Sequence, residues 1–335
     1  MKSNHLNLLN PASIAAAILA LTAPTARAEI EDKITKSFQV SPGGQLVVEV
    51  DRGAIEVRSA DVNAVSIEII RKAGGSKSTA EQTLKDHVVT TTQDGNKVEV
   101  RADYKGVQGL GWFGRLPELQ VNCRVTVPRK FDANLKTAGG SIKVAELTGQ
   151  LQAHTSGGSL KFEKIEGSVN GHTSGGSVTV VGVKGKVELK TSGGSLTLND
   201  IEGDVSAQTS GGSIRADKLT GHSVVKTSGG SIDVAGIQGQ IEARTSGGSI
   251  TADLRGQPSG DCIFKTSAGS VTIALGEKVA VDVDARTSAG RVSADFPVTI
   301  ASGEHKKNEL RGKINGGGPV ITAHTSAGSV RLRKS

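Results

Sequence analysis

Thr173-Ser-Gly-Gly-Ser-Val-Thr-Val-Val-Gly-Val-Lys-Gly-Lys-Val-Glu-Leu-Lys190 is one phrase of eighteen residues, and at Thr191 the chain begins it again. Thr-Ser-Gly-Gly-Ser opens a period at Thr155, Thr173, Thr191, Thr209, Thr227 and Thr245, with Thr-Ala-Gly-Gly-Ser at Thr137. Looser copies follow: Thr-Ser-Ala-Gly-Ser at Thr266 and Thr325, and Thr-Ser-Ala-Gly-Arg at Thr287. The spacing holds at 18 from Thr137 to Thr245, stretches twice to 21, and ends on an interval of 38. A fixed period of this size marks a solenoid, in which one repeat cannot bury its apolar face alone and must stack on its neighbours.

Within the quoted phrase Val178 and Val180 alternate, Val183 lies at a corner, and Val187 and Leu189 alternate again. The next period puts Leu196, Leu198, Ile201, Val205 and Ala207 in those places. Alternation at two with β-branched residues means strands, and nothing here has helical spacing. A second glycine stands twelve residues after each early Thr: Gly149, Gly167, Gly185, Gly203, Gly221 and Gly239. Each coil therefore reads strand, glycine corner, strand, Ser-Gly-Gly corner, with equivalent strands paired in parallel. Glycine suits both corners, through positive φ and through close approach of the next backbone. The expected fold class is all-β, a parallel β-solenoid of about 18-residue coils, with the number of faces per coil left open by the pattern. Parity turns the repeated Thr inward, its hydroxyl available to its own turn. A phosphate cradle would need a following helix or a Lys at fixed offset, so the pentapeptide reads as a structural corner.

The flanks are less regular. Lys2, the apolar run 14–21 and Ala26-Arg27-Ala28 have the form of a signal peptide cleaved after Ala28, which implies export. We divide the rest into a β-rich amino-terminal cap over 29–118 and a solenoid over 119–335. In the cap, residues 46–57 resemble a degenerate coil, 65–70 and 97–102 alternate as strands, and Ser78-Thr-Ala-Glu81 is placed to cap one short helix ending near Val88. Arg331-Leu-Arg-Lys-Ser335 puts cations on the last strand, where they would blunt a sheet edge.

Composition agrees with a thin repetitive core. Glycines number 44 and aromatics are 2% of the chain, fewer than a globular core of this length uses. The formal net charge of +7 loses two with the leader, too little by itself to imply nucleic acid. Cys123 and Cys262 stand close to eight repeats apart, or about 38 Å at one strand spacing per repeat. A disulfide needs Cα atoms within about 7 Å, so no intramolecular bridge is expected.

The order of these features resembles a known family. The leader, Val40-Ser-Pro-Gly-Gly-Gln-Leu46, Val50-Asp-Arg-Gly-Ala-Ile-Glu-Val57, Val125-Thr-Val-Pro128 and the repeats together look like the bacterial "putative adhesin" β-strand-repeat family, an exported domain of unknown function. The resemblance covers essentially the whole mature chain. It implies a β-solenoid at the cell envelope and an adhesive role, and it brings no ligand and no catalytic residues.

The residues themselves show no nucleophile elbow and no HExxH, and we expect no cofactor. A carbohydrate-active β-helix enzyme would need clustered carboxylates in a groove, which on this chain would have to come from the long interval between Thr287 and Thr325. A self-assembling scaffold would need uncovered terminal coils. The residue before each repeated Thr is the most informative surface feature: Lys136, His154, His172, Lys190, Gln208, Lys226, Arg244, Lys265, Arg286 and His324. Outward parity and stacking would set these about 4.8 Å apart in a row. Such a row reads as a site for an anionic polymer: acidic polysaccharide, another anionic envelope component or, with less support, nucleic acid. The plainer account is a solvated face neutralised by Glu188, Glu242 and Asp284 two residues earlier. His154 and His172 alone are too few for a metal, and Cys262 has the parity of a core residue. Trp112 and Phe113 fall in a glycine-rich loop that reads as a plug on the cap.

Overall fold

The computed structural model describes residues 28–105, 118–300 and 306–335. Residues 1–27 of the expected leader and the loop carrying Trp112 and Phe113 lie outside the described residues. Two sheets, one of 14 strands and one of 15, make the fold. Each coil gives one strand to each sheet and so has two faces. In the Thr155 coil, Leu151–Thr155 joins the 15-stranded sheet and Leu160–Glu166 the 14-stranded one. Successive coils pair in parallel and in strict register, Thr155 beside Thr173 and Leu160 beside Val178. The inward side chains are those the alternation marks, and Val178, Val180, Val183, Val187 and Leu189 are all buried. Core volume is traded between faces: a Cβ on Gly171 would lie 2.9 Å from the Phe162 ring, so the largest side chain is met by none at all.

The repeated corner is held by one hydroxyl making two bonds. Thr173 Oγ1 donates to the Gly158 carbonyl of the preceding rung at 2.8 Å and accepts from the Gly176 N–H of its own corner at 3.2 Å. Thr191, Thr209, Thr227 and Thr245 do the same one rung further each time. Parity anticipated the bond within the turn. The bond between rungs is new, and it is the one that ties the stack together.

The two glycines of the corner differ. A Cβ on Gly194 would sit 1.9 Å from the Gly176 carbonyl oxygen, whereas on Gly193 the nearest atom would be 3.5 Å away. The looser copies obey this difference: Ala268, Ala289 and Ala327 replace the first glycine, and Gly269, Gly290 and Gly328 keep the second. Close approach is the second glycine's reason, since Gly194 has no left-handed φ. Positive φ belongs to the opposite corner, at Gly149, Gly167, Gly185 and Gly203 with φ between 141° and 150°. A second left-handed column, nine residues after each Thr, runs through Glu146, Lys164, Gly182, Asp200, Lys218 and Gly236 at φ between 54° and 67°. Its varied residue types hid it from a reading by residue type.

Rung order departs from chain order at both ends. The coil of Gly44–Val50 and Ala54–Ala60 lies second in the stack: Lys97–Tyr104 and Leu119–Pro128 lie outside it, and Phe131–Thr137 and Ile142–Ala145 lie inside. Likewise the last coil, Val320–Thr325 with Val330–Lys334, fills the slot between the Thr266 rung and the outermost Thr287 rung. The cationic carboxyl-terminal strand is therefore interior, a correction to its expected place at an edge. The amino-end order puts Cys123 and Cys262 nine rungs apart, about 43 Å, in different sheets, each a free buried thiol.

Antiparallel strands cover the amino end of both sheets and the carboxyl end of the 15-stranded one, while the 14-stranded sheet stops there at the short parallel strand Val292–Ala294. Ala28–Gln39, Ala64–Gly75 and His87–Asp94 extend the amino end. The helix Lys77–Asp86 connects the last two, and its N-cap is Ser76, whose Oγ accepts the Thr79 N–H at 3.2 Å. The cap thus falls two residues before the expected box, because Gly75 at φ 127° turns the chain out of the strand and leaves Ser76 extended. At the carboxyl end Glu309–Ile314 pairs antiparallel with Val281–Thr287 and carries Thr299–Ile300. Among the described residues no helix is long and apolar enough to cross a membrane.

Chemical denaturation of paired variants checks the corner. Gly193→Ala should shift stability by less than about 1 kcal/mol, and Gly194→Ala should cost at least about 2 kcal/mol through backbone overlap. Thr209→Val, which keeps shape but leaves the half-buried Gly194 carbonyl without its donor, should cost about 1–3 kcal/mol.

Candidate functional site

The residues preceding each Thr form one column on the outer face of the 15-stranded sheet. Register places Lys136, His154, His172, Lys190 and Gln208 on successive rungs, followed by Lys226, Arg244 and Lys265. His324 comes next and Arg286 last, the reverse of chain order, because the final coil enters the slot inside the Thr287 rung. The column also runs further than the Thr motif shows. Glu49 stands beside Lys136, with Arg101 beyond it, and Glu309 closes the other end beside Arg286. Aligning Val50-Asp-Arg-Gly53 with the repeated corner would have found Glu49, since Val50 is the register partner of Thr137. Nothing in the repeat marks Glu309, which arrives on an antiparallel strand.

Electrostatics divides the column. In its first half the cations are matched: Lys136 Nζ lies 2.7 Å from Glu49 and Lys190 Nζ 2.8 Å from Glu188. Each lysine's hydrogen bond holds its partner carboxyl below the ordinary carboxylate range. Between them His154 and His172 stack with ring centres 5.0 Å apart and planes 2° from parallel. Burial first, then His172 and Lys136, push the His154 imidazole towards its neutral form. Two stacked imidazoles flanked by lysines offer too few ligands for a metal, and among the described residues no group of three or more His, Cys, Asp and Glu is placed to hold a metal ion.

The second half carries an excess of positive charge. Lys226 and Arg244 share one acid, Glu242, at 3.0 and 2.7 Å. Hydrogen bonds from Arg244 and then Lys226 draw the Glu242 carboxyl down to about 2. Lys265 has no ion pair among the described residues. Arg286 is bound to Asp284 at 2.7 Å and lies 3.6 Å from Glu309, and the Asp284 bond raises its pKa.

Here the surface is also concave. A trough of about 770 Å³ runs along these rungs, with Lys226, Arg244, Lys265, His324 and Arg286 on one wall. The corner hydroxyls Ser246, Ser267, Ser326 and Ser288 line the other, and Asn308 and Glu309 stand at its carboxyl end. Asn308 is fixed there by donating from Nδ2 to the Thr287 carbonyl at 3.2 Å. Like charges on neighbouring rungs repel, so three cations against one acid over the Lys226, Arg244 and Lys265 rungs is an arrangement an anion would relieve. A second hollow of about 590 Å³, along the left-handed column, mixes signs, with Lys164 paired to Glu146 at 3.2 Å and Lys184 to Glu202 at 3.9 Å.

The acids of the long interval do not gather in a cleft among the described residues. Asp295 lies 3.6 Å from Arg331 and Glu309 2.8 Å from Arg311. Burial pushes the Cys123 thiol up to about 12 and Cys262 up to about 11, so neither is a nucleophile near neutrality.

Residues 45–333 match the family described as Toastrack DUF4097, and the chain belongs to that family. Among solved structures, a putative cell adhesion protein from Clostridium sporogenes is 11% identical, covering 91% of this chain and 100% of its own, with a TM-score of 0.22. A putative adhesin from Bacteroides fragilis is 11% identical over 91% and 97%, at a TM-score of 0.30. A putative lipid binding protein from Parabacteroides distasonis is 12% identical over 90% and 96%, at 0.26. No curated protein matches the chain.

Two measurements check this electrostatic description. Glu242 contributes stability above the ordinary carboxylate value of 4.5, and that contribution is lost as pH falls towards about 2. Acid unfolding of Glu242→Gln should therefore be flatter than wild type across that window. Thiol titration at pH 7 should count no reactive cysteine in the folded chain and two after denaturation.

Proposed function

We propose that this Toastrack protein is a non-enzymatic binding protein of the cell envelope, and that its basic trough holds an anionic polymer, with acidic polysaccharide the best match. The observation that carries this reading is the concentration of Lys226, Arg244 and Lys265 on adjacent rungs against Glu242 alone, along a concave stretch of the rod. The earlier rungs, with Lys136 and Lys190 matched to acids, serve as solvated face. Weak contacts repeated at one strand spacing add through effective concentration, so no deep pocket is needed. The leader-like residues 1–28 support delivery to the periplasm, cell surface or medium.

Binding of polygalacturonate and of neutral dextran, each at low and at physiological salt, tests this. The acidic polymer should bind, the neutral one should not, and affinity should fall by about an order of magnitude as salt screens the trough. Replacing Lys226, Arg244, Lys265 and Arg286 together by Ser should abolish binding without changing the circular dichroism spectrum. Unchanged binding by that variant sinks the reading.

A further inference from the structure

The strand Ala28–Gln39 ends the 14-stranded sheet at the amino end, and no described strand pairs with its outer edge. On its other edge it is bonded to Ala64–Gly75 in one unbroken register, from Gln39 beside Ala64 to Ala28 beside Gly75. Val40 continues that register, its N–H donating to the Asn63 carbonyl at 3.0 Å. Antiparallel ladders alternate, so even-numbered residues bond to the neighbouring strand. The odd-numbered ones, Glu29 to Gln39, aim N–H and C=O at the open edge. There the Gln39 carbonyl is already taken, by Gln93 Nε2 at 2.7 Å. The side chains are unfinished in the same way. Ile30, Ile34 and Phe38 have core parity yet stay half-buried, whereas core-facing residues on inner rungs, such as Val178 and Val180, are fully buried. Two charges share that core side. Asp32 takes both Arg71 nitrogens on Oδ2, which leaves Oδ1 without a partner among the described residues, and Lys36 has no ion pair among them. Charges on the opposite side are matched within the chain, Lys33 to Glu68, and Glu29 and Glu31 to Lys72.

We infer that this edge is where two copies of the chain join, antiparallel about a two-fold axis through Ile34. An axis perpendicular to the sheet keeps core side on core side, so residues pair at equal distances on either side of it. Through Asp32 or Lys33 it would set like charges together. Through Thr35 it would set Asp32 on Phe38 and Lys36 on Ile34. Through Ile34 it sets Ile34 on Ile34, Ile30 on Phe38 and the unpaired Lys36 on Asp32, and no like charges meet. A charge on the core side of an edge strand ordinarily turns other strands away. Here it favours a strand with an acid opposite, which a second copy supplies. Such a pair closes on itself, so no filament grows from it.

Sedimentation equilibrium of the chain without its leader-like residues 1–28 tests this, and the mass should rise from one copy to two with concentration. Thr35→Pro removes only an N–H on the open edge, so it should stay single throughout with an unchanged circular dichroism spectrum. Lys36→Glu, which sets acid against acid twice, should weaken association at least about tenfold. Since Cys123 and Cys262 are buried, one introduced cysteine reports the register. Under mild oxidation Ile34→Cys should give a covalent dimer. Lys33→Cys and Thr35→Cys should not, because their two copies lie a diagonal apart, about 7–8 Å, beyond disulfide reach. A single copy at every concentration overturns the joint, as does a dimer indifferent to Thr35→Pro. Cross-linking at Lys33→Cys or Thr35→Cys in preference to Ile34→Cys overturns the axis.

Discussion

A threonine hydroxyl reaching up to a glycine carbonyl on the rung before it sets the geometry on which the rest depends. The bond is 2.8 Å at Thr173 and recurs at each regular copy. The glycine three residues on settles against the same carbonyl, so closely that a methyl group there would overlap it. The two contacts fix both the height of a rung and its register. Each is modest, about 1 kcal/mol for a hydrogen bond in water, but they repeat along the rod, and a solenoid sums its nearest-neighbour terms. A slip of one residue would break the pair and turn every core side chain outward.

Fixed register turns sequence periodicity into surface columns. Any residue type repeated before the Thr becomes a straight row at strand spacing, whether or not the row has a use. Repulsion along such a row is reduced here in three ways: by acids on the same face, as with Lys190 and Glu188; by uncharged members, as at Gln208; and by the imidazole of His154, which burial pushes towards neutrality. The stretch from Lys226 to Lys265 is where these devices thin out. Regularity builds the rod, and the departures from it, an unmatched lysine and an insertion that folds back, give one part of the rod a distinct chemistry.

The same interlock explains the ends. Thr325 donates to the Gly269 carbonyl and Thr287 to the Gly328 carbonyl, both at 2.6 Å, so the last coil is bonded on both sides like any interior rung. Intercalating a terminal coil places the last strand between two others and leaves short or antiparallel strands at the edges. Those edges are poorer templates for another chain than an open parallel rung would be.

The sequence by itself determined the coil: its length, its two corners, the alternation that buries Val178 and Val180, and the outward column of charges. All of these repeat at a fixed offset from a marker residue, and stacking in register preserves offsets. Only the tertiary structure decided which rung lies beside which at the ends, that Glu49 and Glu309 complete the column, and that a trough forms at Lys265. Those depend on how segments of unequal length fold back onto the stack, through pairings between residues far apart in the chain that leave no period to read. The left-handed column at Glu146, Lys164 and Asp200 escaped for a related reason: position in the coil sets its φ, and the residue types found there share no pattern.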